Sequence, residues 1–340
     1  WLPLGQLLAW ATWPLTAYTL AFVQFFADIP GAAISLGEVA PAVVVIFYGA
    51  LFIVTWALSR PPDERPKWWT TFAKESLPAG GASVLALGIV MAWGAAFSVP
   101  ETPGQLRVTV LDTGPDPAVL IQTPAGRAVL VNGGSSGGAL TRGLAQYLPL
   151  FQSKLDVLVL AGADEAALGG IPDVLARYQA ERVVVTGAAG KGAAYAAVMT
   201  TLLQQGPAPQ SAAGRPVFDL DDGITLRVLA DGVHGSSLWL EWQAFSLALP
   251  LGVTKPAEAD ALAAANPAAA TVLVLAEQHQ AVAETLAEAW DPMIIAIATA
   301  PAGPAADTRA LAGRTLLRTG ERGALMVTTD GRQMWVEAGR

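Results

Sequence analysis

Along the chain the apolar pattern changes character once. Residues 1–27, 39–59 and 76–100 carry no charge, and each is long enough to cross a bilayer, which takes roughly 20 apolar residues at helical rise. The second, VAPAVVVIFYGALFIVTWAL, and the third, ASVLALGIVMAWGAAF, are apolar on every face. They are predicted as spanning helices, with Trp56 and Trp93 near the head groups. The first is interrupted by Pro3, Gly5, Gln6 and Pro14 and carries Trp10, Trp13 and Tyr18. It reads as a kinked span, with a helix lying in the interface as the alternative. The linker DIPGAAISLGE reads as a short turn at the membrane.

From Leu106 the apolar runs shorten to strand length: LRVTVLD, AVLIQTP, RAVLVNGG, LDVLVLAG, RVVVTG, ITLRVLA, SSLWLEW, FSLALPL, TVLVLA, MIIAIAT, RTLLRT and GALMVTTDG. Helical spacing predicts helices over 139–148, 171–178, 193–205, 257–265 and 280–289. Strands that come first as hairpins and then alternate with helices predict a layered α/β domain with mixed sheets and flanking helices. In AVLIQTPAGRAVLVNGG, Pro124, Ala125, Gly126 and Arg127 supply the turn of a hairpin. Residues 206–214 and 300–306, rich in Pro, Ala and Gly, read as exposed loops. The expected division is a membrane segment over 1–100 and one folded domain over 101–340.

Composition sharpens the membrane assignment. Of the 340 positions 53% are hydrophobic and only 14% charged, against ~25% charged in an ordinary soluble protein. The loop RPPDERPKWWTTFAKE holds Arg60, Arg65, Lys67 and Lys74, the basic residues beside the apolar segments. The positive-inside tendency places it in the cytoplasm. The third helix then exits, which predicts a multi-pass protein of the cytoplasmic (inner) membrane with residues 101–340 on the extracytoplasmic side. Trp1 begins within an apolar run, without an initiator Met or the features of a signal peptide, and the chain reads as a piece of something longer. With no cysteine, disulfides, thiolate metal sites and a cysteine nucleophile are excluded.

Candidate chemistry is sparse. The stretch DVLVLAGADEAALGGIPDVL runs from a strand into a loop with Asp164 and Glu165 and then into a helix. These acids read either as weak ligands of a hard ion, shared with Asp112 or Asp116, or as caps of the helix. A two-metal hydrolase needs several imidazoles and a bridging carboxylate, and the chain has two histidines, His234 and His279. Each reads as solvated or backbone-bonded. Ser135 and Ser136 in NGGSSGG have no histidine base marked for them. That glycine run could cradle phosphate, but it lacks the lysine of a P-loop. The net charge of −8 opposes a nonspecific DNA surface. Arg314, Arg318 and Arg322 read as a solvated face or a local patch, and Trp239, Trp242 and Trp335 as core or edge packing rather than base-stacking platforms.

The ordered phrases LRVTVLDTGPDPAVLIQTPAGRAVLVNGG, LDVLVLAGADEAALGGIPDVLARY and GALMVTTDGRQMWVEAG resemble the C-terminal half of the ComEC competence-protein family, and the resemblance covers essentially the whole chain. It implies the end of a multi-helix membrane domain, about three helices here, followed by a metallo-β-lactamase-like domain. It also implies a part in moving single-stranded DNA across the inner membrane during natural transformation, with other competence proteins as partners. The family's LDVGQGDA is LDTGPDPA here, keeping Asp112 and displacing the second acid to Asp116, and its LIDGG is LVNGG, with Asn132 at the acid.

In the metal loop, commonly THPDADHIGG, Gly162 stands for the first histidine, Asp164 keeps the middle acid, and Ala166 and Ala167 replace the Asp-His pair. Gly252 falls at the bridging aspartate, and the HHGS element corresponds to Glu277, Gln278, His279 and Gln280. The expectation is a lactamase-like domain without metal, cofactor or catalysis. The alternative is a membrane-tethered hydrolase or nuclease with a rearranged set, Asp112, Asp116, Asp164 and Glu165. A third reading is a relic without a transport role.

Overall fold

The computed structural model describes residues 104–339 apart from 150–151, 187–189, 191, 213–216, 221, 233, 267, 301–310 and 312–313. The apolar segments 1–27, 39–59 and 76–100 lie outside the described residues. Among the described residues no helix is long and apolar enough to cross a membrane.

The predicted strands, together with three the pattern did not mark (Gln210–Ser211, Val217–Asp219 and Met334–Ala338), assemble into two mixed sheets built on one plan. In the first, β1 (Leu106–Leu111), β2 (Ala118–Gln122) and β3 (Ala128–Val131) form an antiparallel meander. From β3 the sheet continues in parallel through β4 (Lys154–Leu160), β5 (Gln179–Val185) and β6 (Gln210–Ser211). In the second, β7 (Val217–Asp219), β8 (Thr225–Asp231), β9 (Ser236–Trp242) and β10 (Phe245–Pro250) are antiparallel. Parallel β11 (Val272–Ala276), β12 (Ile294–Ala298) and β13 (Thr315–Arg318) follow. The hairpin of β14 (Leu325–Thr329) and β15 (Met334–Ala338) returns to the first sheet beside β1.

Alternation along the strands explains why four layers form. In β11, Val272 and Val274 join a core between the sheets, while Leu273 and Leu275 join a second core beneath helices α5 (Pro256–Ala265) and α6 (Gln280–Trp290). In the first sheet, Val108 and Val110 face the inter-sheet core, while Leu120, Leu130 and Leu158 face α1 (Gly137–Tyr147), α2 (Glu165–Leu168), α3 (Ile171–Leu175) and α4 (Ala193–Gln205). Strands buried on both faces read as continuous apolar runs, which is the pattern of DVLVL and TVLVL.

The structure adds elements the pattern did not mark. The two-residue β6 lies within 206–214, expected as loop, and joins β5 through main-chain pairing of Gln210 and Ser211. Four-residue helices, α2 and α7 (Thr319–Arg322), are too short to show a period, and α3 ends at Leu175 rather than at residue 178. Strand β15 carries its apolar positions on one face only, with Met334 and Val336 against the inter-sheet core and Trp335 44% exposed.

The other three tryptophans of the described residues are internal. Trp239 is fully buried and packs edge-on against Trp290, ring centroids 5.5 Å apart, and Trp290 Nε1 donates to Asn266 O. Trp242 Nε1 donates to Asp222 O. Trp239→Ala is therefore expected to lower unfolding free energy by about 3–5 kcal/mol. Trp335→Ala should change it by about 0.5 kcal/mol or less. Urea denaturation followed by circular dichroism measures both.

Candidate functional site

Parallel strands leave their carboxyl ends as the place where loops of both sheets can meet, because helices cover the faces. Here the loops after β1, β3, β4, β10 and β11 carry the positions of interest. Asp116, in the loop after β1, accepts a hydrogen bond from Gln278 Nε2 at 3.0 Å, and Glu277 N donates to Pro115 O at 2.9 Å. Two links thus tie the first sheet to the 3-10 turn Glu277–His279 that precedes α6. Glu277 Oε2 accepts from Ala300 N. Asp112 is half-buried just after β1.

Asn132 follows β3 with φ 56°, a left-handed conformation that Asn tolerates better than most residues. Its Oδ1 accepts from both Ala161 N, at 2.8 Å, and Gly162 N, at 2.9 Å. The Asn132 side chain, where the resemblance implies an acid, therefore acts as a staple for the end of β4. Asp164 caps α2, its Oδ1 accepting from Ala167 N at 3.1 Å, as one of the two sequence readings anticipates. Glu165 is exposed, Ala166 is half-buried, and Ala167 is buried with its carbonyl accepting from Gly133 N.

Gly162 and Gly252, distant in sequence, are both drawn to Gly235. Gly162 forms an isolated antiparallel bridge with Gly235, and Ser236 N donates to Ala161 O at 2.7 Å. A Cβ placed on Gly162 would overlap the Ala167 Cβ, and one placed on Gly252 would overlap the Gly235 carbonyl. The Ala167 side chain fills the space at Gly162, and main chain fills it at Gly252.

The two most perturbed groups lie at the same strand ends. Burial pushes the Asp116 carboxyl up to about 6, with the charge of Asp164 adding to the rise. Burial holds the His279 imidazole down to about 4, and His234 adds to that depression. His279 is 1% exposed, which corrects the solvated half of its sequence reading, whereas His234 is exposed. His279 Nδ1 accepts from Ala276 N at 3.2 Å, so the neutral ring carries its proton on Nε2. An Nε2–H is a donor and cannot ligate a cation. Metal-bound imidazoles show the reverse arrangement, the second nitrogen donating outward.

These donors do not fit the metals that the family resemblance implies. Among the described residues no three His, Asp or Glu side chains come together to hold an ion. The phosphate reading of NGGSSGG fares similarly, because the Asp173 carboxylate lies against Gly137 at the N-terminus of α1. Ser136 Oγ caps α1 through Ala139 N, and Ser135 Oγ donates to Thr113 O, so both serines have structural partners. Arg314 pairs with Asp291 and Arg318 with Glu321, each at 2.8 Å, and Arg322 is exposed.

No protein-family model matches the sequence, and no curated protein matches it. In fold the chain is similar to several solved structures. The metallo-β-lactamase fold protein YhfI from Bacillus subtilis has 13% identity and a TM-score of 0.46, over 63% of this chain and 95% of that one. Zinc-bound PqqB from Methylobacterium extorquens has 13% identity and a TM-score of 0.43, over 62% and 85%. The short form of human tRNase Z has 14% identity and a TM-score of 0.40, over 57% and 92%.

Asp116 and His279 oppose one another as pH changes. A carboxyl whose pKa is raised on folding destabilises the fold as pH rises from 3.8 to about 6. An imidazole whose pKa is depressed destabilises it as pH falls from 6.5 to about 4. Asp116→Asn keeps an acceptor for Gln278 and removes the first effect. The variant is expected to be more stable than the parent at pH 7, by on the order of 2 kcal/mol, with the difference shrinking towards pH 4. Thermal melts across that range measure it, and equal Tm at pH 7 would contradict the assignment.

Proposed function

We propose that this chain is the C-terminal portion of a ComEC-like DNA-uptake protein whose metallo-β-lactamase-like domain is a catalytically silent module. On this reading residues 1–100 end the membrane domain of a multi-pass protein of the cytoplasmic membrane. The folded domain stands on the extracytoplasmic side, beside the path of single-stranded DNA and other competence proteins. Support for the family comes from the ordered series of phrases along the whole chain.

The observation that carries the silent part is the fate of the ligand positions. Gly162, Ala166, Ala167 and Gly252 supply no donor side chain. Asp164 is engaged as a helix cap and Asn132 as a backbone staple. A two-metal hydrolase clamps both the attacking and the leaving oxygen, which needs several ligands on each ion. The rearranged set of Asp112, Asp116, Asp164 and Glu165 has no grouping of three among the described residues to support it.

Two measurements test the reading separately. The purified chain, stripped with chelator and then offered zinc or manganese, is expected to retain less than one tightly held ion and to leave single-stranded DNA intact. Two tightly bound metals, or metal-dependent cleavage, would overturn the silent assignment. Deletion of the gene is expected to abolish uptake of DNA in a transformable host, and unchanged transformation frequency would overturn the transport assignment.

A further inference from the structure

We propose that the crevice is closed by a main-chain clasp between the two sheets, so that a ligand at position 252 cannot be restored by changing side chains alone. The proposal rests on the silent reading above and deepens it. One side of the clasp is Ala161 and Gly162, which follow β4 in the first sheet. The other side is Gly232, Gly235 and Ser236 around the turn from β8 to β9, with Gly252 after β10, all from the second sheet.

One bridge holds the two sheets at backbone contact: Gly162 pairs with Gly235, and Ser236 N donates to Ala161 O at 2.7 Å, while Gly232 N donates to Gly235 O at 2.8 Å and closes the turn on the second-sheet side. Asn132 steadies the first-sheet side, since its Oδ1 holds the N–H groups of Ala161 and Gly162. Glycine permits such close approach because it has no Cβ to be displaced. Two of these glycines, Gly162 and Gly252, stand where the family resemblance implies the first histidine and the bridging aspartate. A ligand at Gly252 would have to enter space that the Gly235 carbonyl already fills, and one at Gly162 space that the Ala167 Cβ fills.

The obstacles at the two positions differ in kind, and the difference makes the proposal testable. At Gly162 the atom met by a new Cβ is the Ala167 Cβ, a side-chain atom that can be removed. At Gly252 it is the Gly235 carbonyl oxygen, which belongs to the main chain and cannot.

The test uses thermal melts of the purified full chain. Gly162→Ala and Gly252→Ala are each expected to lower Tm by ~4 °C or more. Adding Ala167→Gly is expected to recover most of the loss at Gly162, judged against Ala167→Gly alone, and none of the loss at Gly252. The double variant Gly162→His, Gly252→Asp is expected to show no rise in Tm with added zinc. An unchanged Tm in either alanine variant, or a zinc-dependent rise in the His/Asp variant, would overturn the clasp. Should the His/Asp variant fail to fold, the alanine variants decide. Zinc bound by the parent chain would count against the silent reading instead, while the alanine series still tests the clasp.

Discussion

The apolar layer that holds Val110, Val159, Leu249 and Val274 between the two sheets is the constraint on which the rest depends. Each sheet buries its other face as well, the first beneath α1 to α4 and the second beneath α5 and α6. With both faces covered, the strand ends are what remains for a site. The two sheets also enter that region together, because the same meander-then-parallel order brings the ends of β4 and β10 to one place. A metal centre built there would need donors from both sheets. The chain instead supplies glycine from both, and its main chain makes the connection.

What remains polar in the crevice is used for construction. Asp116 and Gln278 link the loop after β1 to the turn before α6, and Asn132 secures the end of β4. Asp164 starts α2. His279 accepts from Ala276, and burial lowers its pKa and raises that of Asp116, favouring the neutral form of each. Perturbed groups of this kind often mark catalytic sites, but structural networks perturb titration too. The tautomer of His279, set by its acceptor role, argues against metal ligation through Nε2, and that buried Nε2 has no hydrogen-bond partner among the described residues.

Much of this was legible in the sequence because strands buried on both faces announce themselves as runs such as DVLVL, TVLVL and MIIAI. The helix at 193–205 was read to its limits for a similar reason, being long enough to show its period. Elements of two to four residues, β6, α2 and α7, escaped because no period can be read from so few positions. The hairpin into β15 was signalled by Asp330 and Gly331 but passed over, its strand carrying exposed Trp335 and Glu337. At the site, the lack of donor side chains at Gly162, Ala166 and Ala167 is plain in the sequence, and the capping reading of Asp164 could be made from its place before α2. The contact of Gly162 and Gly252 with Gly235 could not, since nothing local couples residues so far apart. Nor could the burial of His279, which depends on the packing around the turn before α6.

The central claim is that backbone, with no metal, closes the end of the sandwich, and amide hydrogen exchange tests it most directly. The Ser236 and Gly162 N–H groups, bonded to Ala161 O and Asn132 Oδ1, are expected to exchange as slowly as the strand amides around them. Their rates should be the same with excess chelator and with excess zinc. Rapid exchange at both amides, or protection that chelator removes and zinc restores, would contradict the account.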